Sequence, residues 1–327
     1  MKPSFFKNLG PVNASKIRST ISCELVNIEE SDFFNDFTSI NKIENYSLSF
    51  LYDNENCEKK LPTNSALICT ETQSKKINSN QKLFIVKDVQ EATAKISNIF
   101  YRSYETFEKE KFNEPVIGEN SDIANNAIIE NGAIIGKNVK ISAGAIIKCN
   151  CIIGDDSKIG ANSVIENSIL GDNTYVGSNS SIGQRGFGFH LNNDKNINIF
   201  HIGRVVLNSN VSIGSCCTID RGSFSDTVIG KNTYIDNLCH IAHNVRIGNN
   251  CAFAAMTGIA GSAKIGDNVL TGGQVGISGH ITIGNNVRIA AKSGVFNNLK
   301  DGESVMGNPA VNNYKFIKSY KKIYGKR

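Results

Sequence analysis

The chain has 327 residues, 40% of them hydrophobic and 20% charged, which allows two or three domains with sizeable cores. No apolar run reaches the roughly 18 residues of a spanning helix, and the first ten residues lack the apolar stretch of a secretory signal, so a cytoplasmic protein with no transmembrane segment is expected. Net charge is +5, but Lys315, Lys318, Lys321, Lys322, Lys326 and Arg327 carry the whole excess, leaving 29 bases against 30 acids elsewhere. No nucleic-acid partner is expected, and the tail reads as a solvated helix end or as a docking patch for an acidic partner or surface.

Nine cysteines, an odd number with no CxxC pair, do not make a disulfide framework. Cys149, Cys151, Cys217 and Cys251 fall at or near inward positions of the repeat described below, as small buried hydrophobes would.

Residues 1–112 carry no repeat. Tyr46 to Leu51, Ser65 to Cys69 and Lys82 to Val86 read as strands, and Gln90 to Tyr104 as a helix, together a small α/β domain. From Ile117 the pattern changes. Isoleucine recurs every six residues through Ile123, Ile129, Ile135, Ile141, Ile147, Ile153, Ile159 and Ile165. The phase slips by one at Leu170 and continues through Val176 and Ile182. A second frame runs from Ile229 to Val295, apolar at eleven of its twelve positions.

Six is a multiple of the strand period of two and does not fit the helical 3.6, so every repeat puts its apolar residue on the same face of a strand. Glycine and asparagine follow that residue, as in Ile135-Gly136-Lys137-Asn138, and suit tight corners. Short strands joined by such corners stack into a solenoid with an aliphatic interior. No proline lies between Pro115 and Pro309, as expected where every backbone N–H is needed between coils. The expected organisation is residues 1–112 as the α/β domain, 113–306 as a parallel β-helix and 307–327 as a basic C-terminal helix. A loop is expected to leave the coil at 183–206, where Gln184 to His190 and a polar run break the register.

Five histidines are present, and His243 and His280 are the informative pair. They are 37 residues apart, two 18-residue coils plus one, and neither is at an inward position, so they share about the same side of the coil; surface histidines are the plain alternative. A zinc site from His201, His240 and His243 lacks zinc-ligand spacing, and no metal is expected.

The ordered set Gly203-Arg204-Val205-Val206, Thr218-Ile219-Asp220-Arg221-Gly222, Asp226-Thr227-Val228-Ile229-Gly230, Ile235-Asp236-Asn237 and Ile241-Ala242-His243-Asn244-Val245 closely resembles the UDP-3-O-acylglucosamine N-acyltransferase family of lipid A biosynthesis. Gly186-Phe187-Gly188-Phe189, Ser49-Phe50-Leu51 and the basic tail extend the resemblance to both ends. The resemblance implies a left-handed coil, a homotrimer with sites between subunits, an acyl-[acyl carrier protein] donor and a UDP-sugar acceptor with a free 2-amine. It implies no cofactor beyond the phosphopantetheine that arrives on the carrier. His243 would be the general base, suited by an ordinary pKa near 6.5. Gly261 would supply an oxyanion-binding backbone N–H. His280 would assist the oxyanion or the pantetheine arm, and Asp236 and Asn237 would orient the base or contact substrate. Phe50 would stack on uracil, with Tyr52 standing in for an aromatic that the family has a few residues later and this chain lacks; a strand core is the other reading of Phe50. Phe187 and Phe189 would contact substrate, and Lys315, Lys318, Lys321 and Lys322 would dock the acidic carrier. The ruler for chain length would lie near the groove's end, with Phe296 or Met306 as candidates. Two other readings remain open: the UDP-N-acetylglucosamine O-acyltransferase of the same pathway, which lacks a separate N-terminal domain, and a non-catalytic β-helix binding scaffold.

Overall fold

The computed structural model describes residues 5–52, 61–103, 112–191 and 195–325. The chain divides into two compact units, one of Met1–Phe5, Glu108–Phe187 and Gly203–Arg327, the other of Phe6–Phe107 and Gly188–Ile202.

The larger unit is the expected solenoid, mainly β. Two-residue strands stack in three parallel sheets beginning with Val116–Ile117, Asp122–Ile123 and Ile128–Ile129, here called faces one, two and three. In most of the two-residue strands the first residue points outward and the second inward, as in Lys140–Ile141 and Lys158–Ile159. On face one Ile135 stacks on Ile153, Ile153 on Leu170 and Leu170 on Leu207, and the column continues through Ile229, Ile247, Ile265 and Ile283. From Ile135 to Ile283 these side chains are at most 5% exposed. Each such burial is worth about 1.5–3 kcal/mol. The phase slip at Leu170 is real, since its stacked partner Ile153 is only 17 residues back.

Corners are made by residues in the left-handed region, among them Asn138, Asn162, Asn232, Asn250, Asn268 and Asn286 with φ between 55° and 58°. Asparagine tolerates this conformation. It also stacks here: Asn232 Nδ2 donates to Asn250 Oδ1 at 3.1 Å and Asn268 Nδ2 to Asn286 Oδ1 at 3.2 Å, one coil apart.

The excursion from the coil is shorter than 183–206. Ser181–Arg185 and Val205–Leu207 stay in the coil ladders, because Gln184 pairs in register with Asp220, Arg185 with Arg221 and Val205 with Thr227. A bulge at Gly183 allows this; its φ is 91°, and a Cβ there would collide with the Glu166 carbonyl oxygen. A second irregularity follows. Leu207 and its stacked partner Ile229 are 22 residues apart, four more than the 18 between Ile229 and Ile247, and the excess is spent at the corner around Gly222 to Ser225.

In the other unit a five-stranded sheet has the order Glu24–Val26, Lys82–Ile85, Ala66–Cys69, Ser47–Phe50, Asp36–Phe37. The first pair is antiparallel and the rest are parallel. The three expected strands are present. The helix Val89–Phe100 ends before Tyr104, because Tyr101–Ser103 pairs with Phe6–Asn8 and the Tyr101 hydroxyl donates to Asp36 Oδ1. Gly188–Ile202 carries a small antiparallel pair, Phe189–His190 with Ile197–Asn198. It is held to the helix by Asn98 Nδ2 donating to the Asn198 carbonyl at 2.9 Å and by the Phe200 N–H donating to Ser97 Oγ at 3.0 Å. After the coil, Asn313–Tyr324 forms the C-terminal helix, capped by Asn312.

Candidate active site

Face three opens into a cavity of about 1030 Å³. Its floor follows from the outward column of the face. There Thr218 stacks on His240, His240 on Gly258, Gly258 on Gly276 and Gly276 on Gly294. Where earlier coils of this column carry Ile128, Ile146, Val164, Thr218 and His240 outward, these three carry no side chain. A Cβ added at Gly258 or Gly276 would meet nothing within 4 Å. At Gly294 it would meet Asn308 Oδ1 at 2.8 Å and Phe296 Cε2 at 3.2 Å, so the groove closes there. From His240 to Gly294 is three coil spacings, about 14 Å. Phe187, 81% exposed, and Arg185 also line the cavity, and Lys292 lies toward the closed end.

His243 sits just past this column, at the corner after His240–Ile241. Its Nδ1 lies 3.0 Å from Asn244 Oδ1. The orientation of that amide is set by backbone groups. The Ser223 N–H donates to Asn244 Oδ1 at 3.1 Å, and Asn244 Nδ2 donates to the Ser225 carbonyl at 3.0 Å. Both serines come from the corner with four extra residues. Facing an acceptor, Nδ1 must carry the hydrogen, which leaves the lone pair of neutral His243 on Nε2. The ring lies over Gly261, where a Cβ would come within 2.8 Å of Nε2. An imidazole held in one tautomer, with Nε2 against a backbone segment and over a water-accessible apolar groove, can accept a proton from a nucleophile bound there.

A second group lies on the same wall. Asp220 is 3% exposed and accepts from Gln184 Nε2 at 3.0 Å. Burial pushes its carboxyl above the usual carboxylate range, against the opposing pull of Gln184, His240, His243 and Arg221. His240 has Thr218 Oγ1 2.7 Å from Nδ1 and Asp220 Oδ2 3.7 Å from Nε2.

The similarity to known proteins is specific. Residues 226–261 and 262–297 match the bacterial transferase hexapeptide (six repeats) family, and residues 112–221 match the GMPPB C-terminal domain. The chain is a hexapeptide-repeat protein. UDP-3-O-acylglucosamine N-acyltransferase of Caulobacter vibrioides is 53% identical over 76 residues, and that of Maricaulis maris 51% over 73. The aligned segment is 23% of this chain and 22% of the Caulobacter protein; for the Maricaulis protein the shares are 22% and 21%. Among solved structures, a UDP-N-acetylglucosamine acyltransferase from Campylobacter jejuni superposes with a TM-score of 0.54 at 25% identity, over 63% of this chain and 86% of that one.

Not every residue singled out in this hexapeptide-repeat protein converges on the cavity. His243 and Gly261 do. His280 is exposed at a left-handed corner, φ 60°, its N–H donating to the Gly261 carbonyl at 3.1 Å; it shares the edge but does not line the cavity. Asp236 and Asn237 lie past face two, where Asp236 lines a separate cavity of about 390 Å³ with Tyr234. Asn237 Oδ1 accepts from the Ser215 N–H at 2.8 Å. Neither lines the cavity of His243. Phe296 is at the groove's closed end, whereas Met306, on a strand added to face two, is not in the cavity lining. Phe50 is 5% exposed, packed against Phe37 at 5.4 Å and Tyr52 at 4.9 Å between ring centres, and Tyr52 is the more accessible of the pair. Phe189 belongs with the smaller unit and Phe187 with the coil. His201 also belongs with the smaller unit, and among the described residues no cluster of three or more His, Cys, Asp or Glu could hold a metal. Lys315, Lys318, Lys321 and Lys322 are exposed on the C-terminal helix.

Gln184, Asp220, His240 and Asn244 received no site role from sequence alone. Two signals in the sequence pointed at the groove without showing which residues meet there. Asp220 is an acid beside an inward isoleucine, and Gly258, Gly276 and Gly294 recur at the coil period of 18.

Replacing Asn244 with glycine keeps the left-handed corner, φ 63° in the parent, and removes the acceptor at Nδ1. Imidazole ¹⁵N NMR is expected to show neutral His243 as one Nδ1-protonated species in the parent and as a tautomer mixture in Asn244→Gly. A mixture already present in the parent would contradict an Nδ1–H held against Asn244.

Proposed function

We propose that this protein is an N-acyltransferase that moves an acyl or hydroxyacyl chain from an acyl-[acyl carrier protein] thioester to the 2-amine of a UDP-3-O-acylglucosamine, in the cytoplasm, early in lipid A biosynthesis. The observation that carries the reading is the union of a tautomer-fixed His243 with a side-chain-free groove on face three. The names of the relatives that match over the hexapeptide region agree with it.

In this mechanism the amine nitrogen attacks the thioester carbonyl and forms the C–N bond. His243 Nε2 takes the nitrogen's proton as the bond forms. The oxyanion of the tetrahedral intermediate is met by the backbone at Gly261, which lies against Nε2. Collapse breaks the C–S bond, and the imidazolium returns its proton to the departing thiolate. The acyl tail lies along the Gly258–Gly276–Gly294 column toward Phe296. A homotrimer would bring face two of a neighbour, with Tyr234 and Asp236 exposed on it, toward face three, and would give Asp236 and Asn237 a role that they lack within one chain. The uridine group is assigned to the smaller unit, with Tyr52 as the accessible aromatic.

A second reading, O-acylation of a UDP-N-acetylglucosamine, is favoured by the Campylobacter jejuni structure. The bond formed in the product, amide or ester, separates the two.

His243→Ala is expected to lower kcat for carrier-dependent N-acyl transfer by about 10²–10⁴-fold, the ordinary worth of a general base. Sedimentation should show an unchanged trimer; full activity in this variant would sink the mechanism. Gly276→Leu puts a branched side chain into the open groove and should move donor preference toward shorter chains, read by mass spectrometry of products from a mixed acyl-carrier pool. An unchanged product distribution would remove the acyl tail from this column. Neutralising Lys315, Lys318, Lys321 and Lys322 together should raise KM for the carrier and flatten its salt dependence, since steering by exposed charges is screened beyond about 10 Å at 0.1 M salt. An unchanged KM would place docking elsewhere.

A further inference from the structure

An amine acceptor poses a problem that His243 alone does not solve. A 2-amino sugar nitrogen arrives largely as an ammonium at neutral pH, since an amine flanked by electron-withdrawing groups titrates at about 8, near the α-amino value. One proton must leave before the nitrogen has a lone pair, and a second leaves as it attacks. The His243 lone pair accounts for the second.

We propose that His240, supported by Asp220, is a further catalytic residue that takes the first of these protons. The inference rests on the N-acylation reading above. Three features carry it. His240 and Asp220 both line the same cavity as His243. The ring of His240 has an oxygen near each nitrogen, the Thr218 hydroxyl Oγ1 at 2.7 Å from Nδ1 and Asp220 Oδ2 at 3.7 Å from Nε2, and its side chain is 48% exposed. Asp220 is the cavity's carboxylate, 3% exposed and fixed by Gln184 Nε2 at 3.0 Å.

The step is balanced. Asp220 Oδ2, at 3.7 Å, is beyond hydrogen-bond reach of Nε2, so it does not require a hydrogen there; with Nδ1–H donated to Thr218 Oγ1, Nε2 presents its lone pair to the cavity. The ammonium loses H⁺ to Nε2 and becomes a neutral amine, and the new Nε2–H lies beside the Asp220 carboxylate. A proton arriving there meets a negative charge in a poorly solvated wall, where the attraction is stronger than in water. Asp220 also gives the incoming ammonium a reason to settle at this end of the groove. After product release the proton returns to solvent from the half-exposed ring.

The charged and titratable groups around His240 are few. From the strand Thr218–Arg221 come Asp220 and the buried Arg221, whose guanidinium donates to the Gly183 carbonyl at 3.1 Å. Ser181–Arg185 adds Arg185 at the cavity, His243 follows on the same corner, and the next coil offers Gly258 with no side chain. Only Asp220 among them is acidic.

The test compares parent, His240→Gln and Asp220→Asn, each as the full-length protein, over pH 6.5–9.5 with UDP-3-O-acylglucosamine and an acyl-[acyl carrier protein]. At pH 7 His240→Gln is expected to lose roughly ten- to hundredfold in kcat/KM, at the low end of general-base effects. By pH 9, where the amine sheds its proton to solvent, the loss should shrink to about threefold or less. Asp220→Asn keeps a partner for Gln184 and should show the same pH-dependent recovery with a smaller loss. A loss equal at every pH, or none in either variant, overturns the proposal while leaving N-acyl transfer by the parent intact. A parent that acylates only hydroxyls overturns this inference together with the reading it rests on.

Discussion

Everything in the larger unit depends on one constraint: each coil must return its backbone to the height of the next with its N–H groups facing carbonyls one coil away. The Lys140 N–H donates to the Ser157 carbonyl and the Lys158 N–H to the Thr174 carbonyl, both close to 2.9 Å, and the same relation repeats along the coil. That closure requires left-handed corners, which explains the asparagines, and it fixes side-chain direction to alternate rows. An outward residue on one coil therefore lies one strand spacing from the outward residue on the next. Removing side chains from a single row opens a groove straight along the coil, with no other change to the backbone. Gly258 and Gly276 do this on face three, while the inward Ile259 and Ile277 beneath them keep the core filled.

The candidate site sits where the constraint is relaxed. The coil with four extra residues swells at the corner of Gly222 to Ser225, and the Ser223 N–H and Ser225 carbonyl from that swelling hold the Asn244 amide. Asn244 is otherwise an ordinary corner asparagine, with φ 63° like those elsewhere in the coil. A regular coil would have stacked another corner against it; the irregular one gives it donors and an acceptor that turn the amide oxygen, not the nitrogen, toward His243. The bulge at Gly183 acts similarly on the coil before. It shifts the register so that Gln184 lies opposite Asp220 and supplies the donor for a carboxylate that burial would otherwise leave costly.

These relations explain what could be read from the chain. The period of six was legible because it repeats and because only one strand face can be apolar inside a solenoid. His243 was legible through the residues around it. Asn244 was not, since its partners come from Ser223 and Ser225, about twenty residues earlier, through an insertion whose length is known only once Leu207 is seen to stack on Ile229. Asp220 and His240 were hidden for the same reason, being 20 residues apart in sequence and neighbours only in a 22-residue coil. The early end of the helix at Phe100 depended on pairing between Tyr101–Ser103 and Phe6–Asn8, a contact of long sequence separation that no local propensity signals.

Asp236 makes the remaining step. It lies past face two beside the exposed Tyr234, in a cavity separate from that of His243, yet it belongs to the same ordered run of residues that marks the resemblance. A residue that stacks in the coil as tightly as its neighbours but faces away from the groove gains nothing for that groove within one chain. Faces two and three meet at a corner and look in different directions, so no movement of a two-residue strand could bring Asp236 to His243 without breaking the ladder of coil-to-coil hydrogen bonds. If Asp236 acts on the reaction, it acts on the His243 of another copy. The coil-to-coil ladder that keeps the Gly258–Gly276 row straight thus also fixes Asp236 on its own side of the coil.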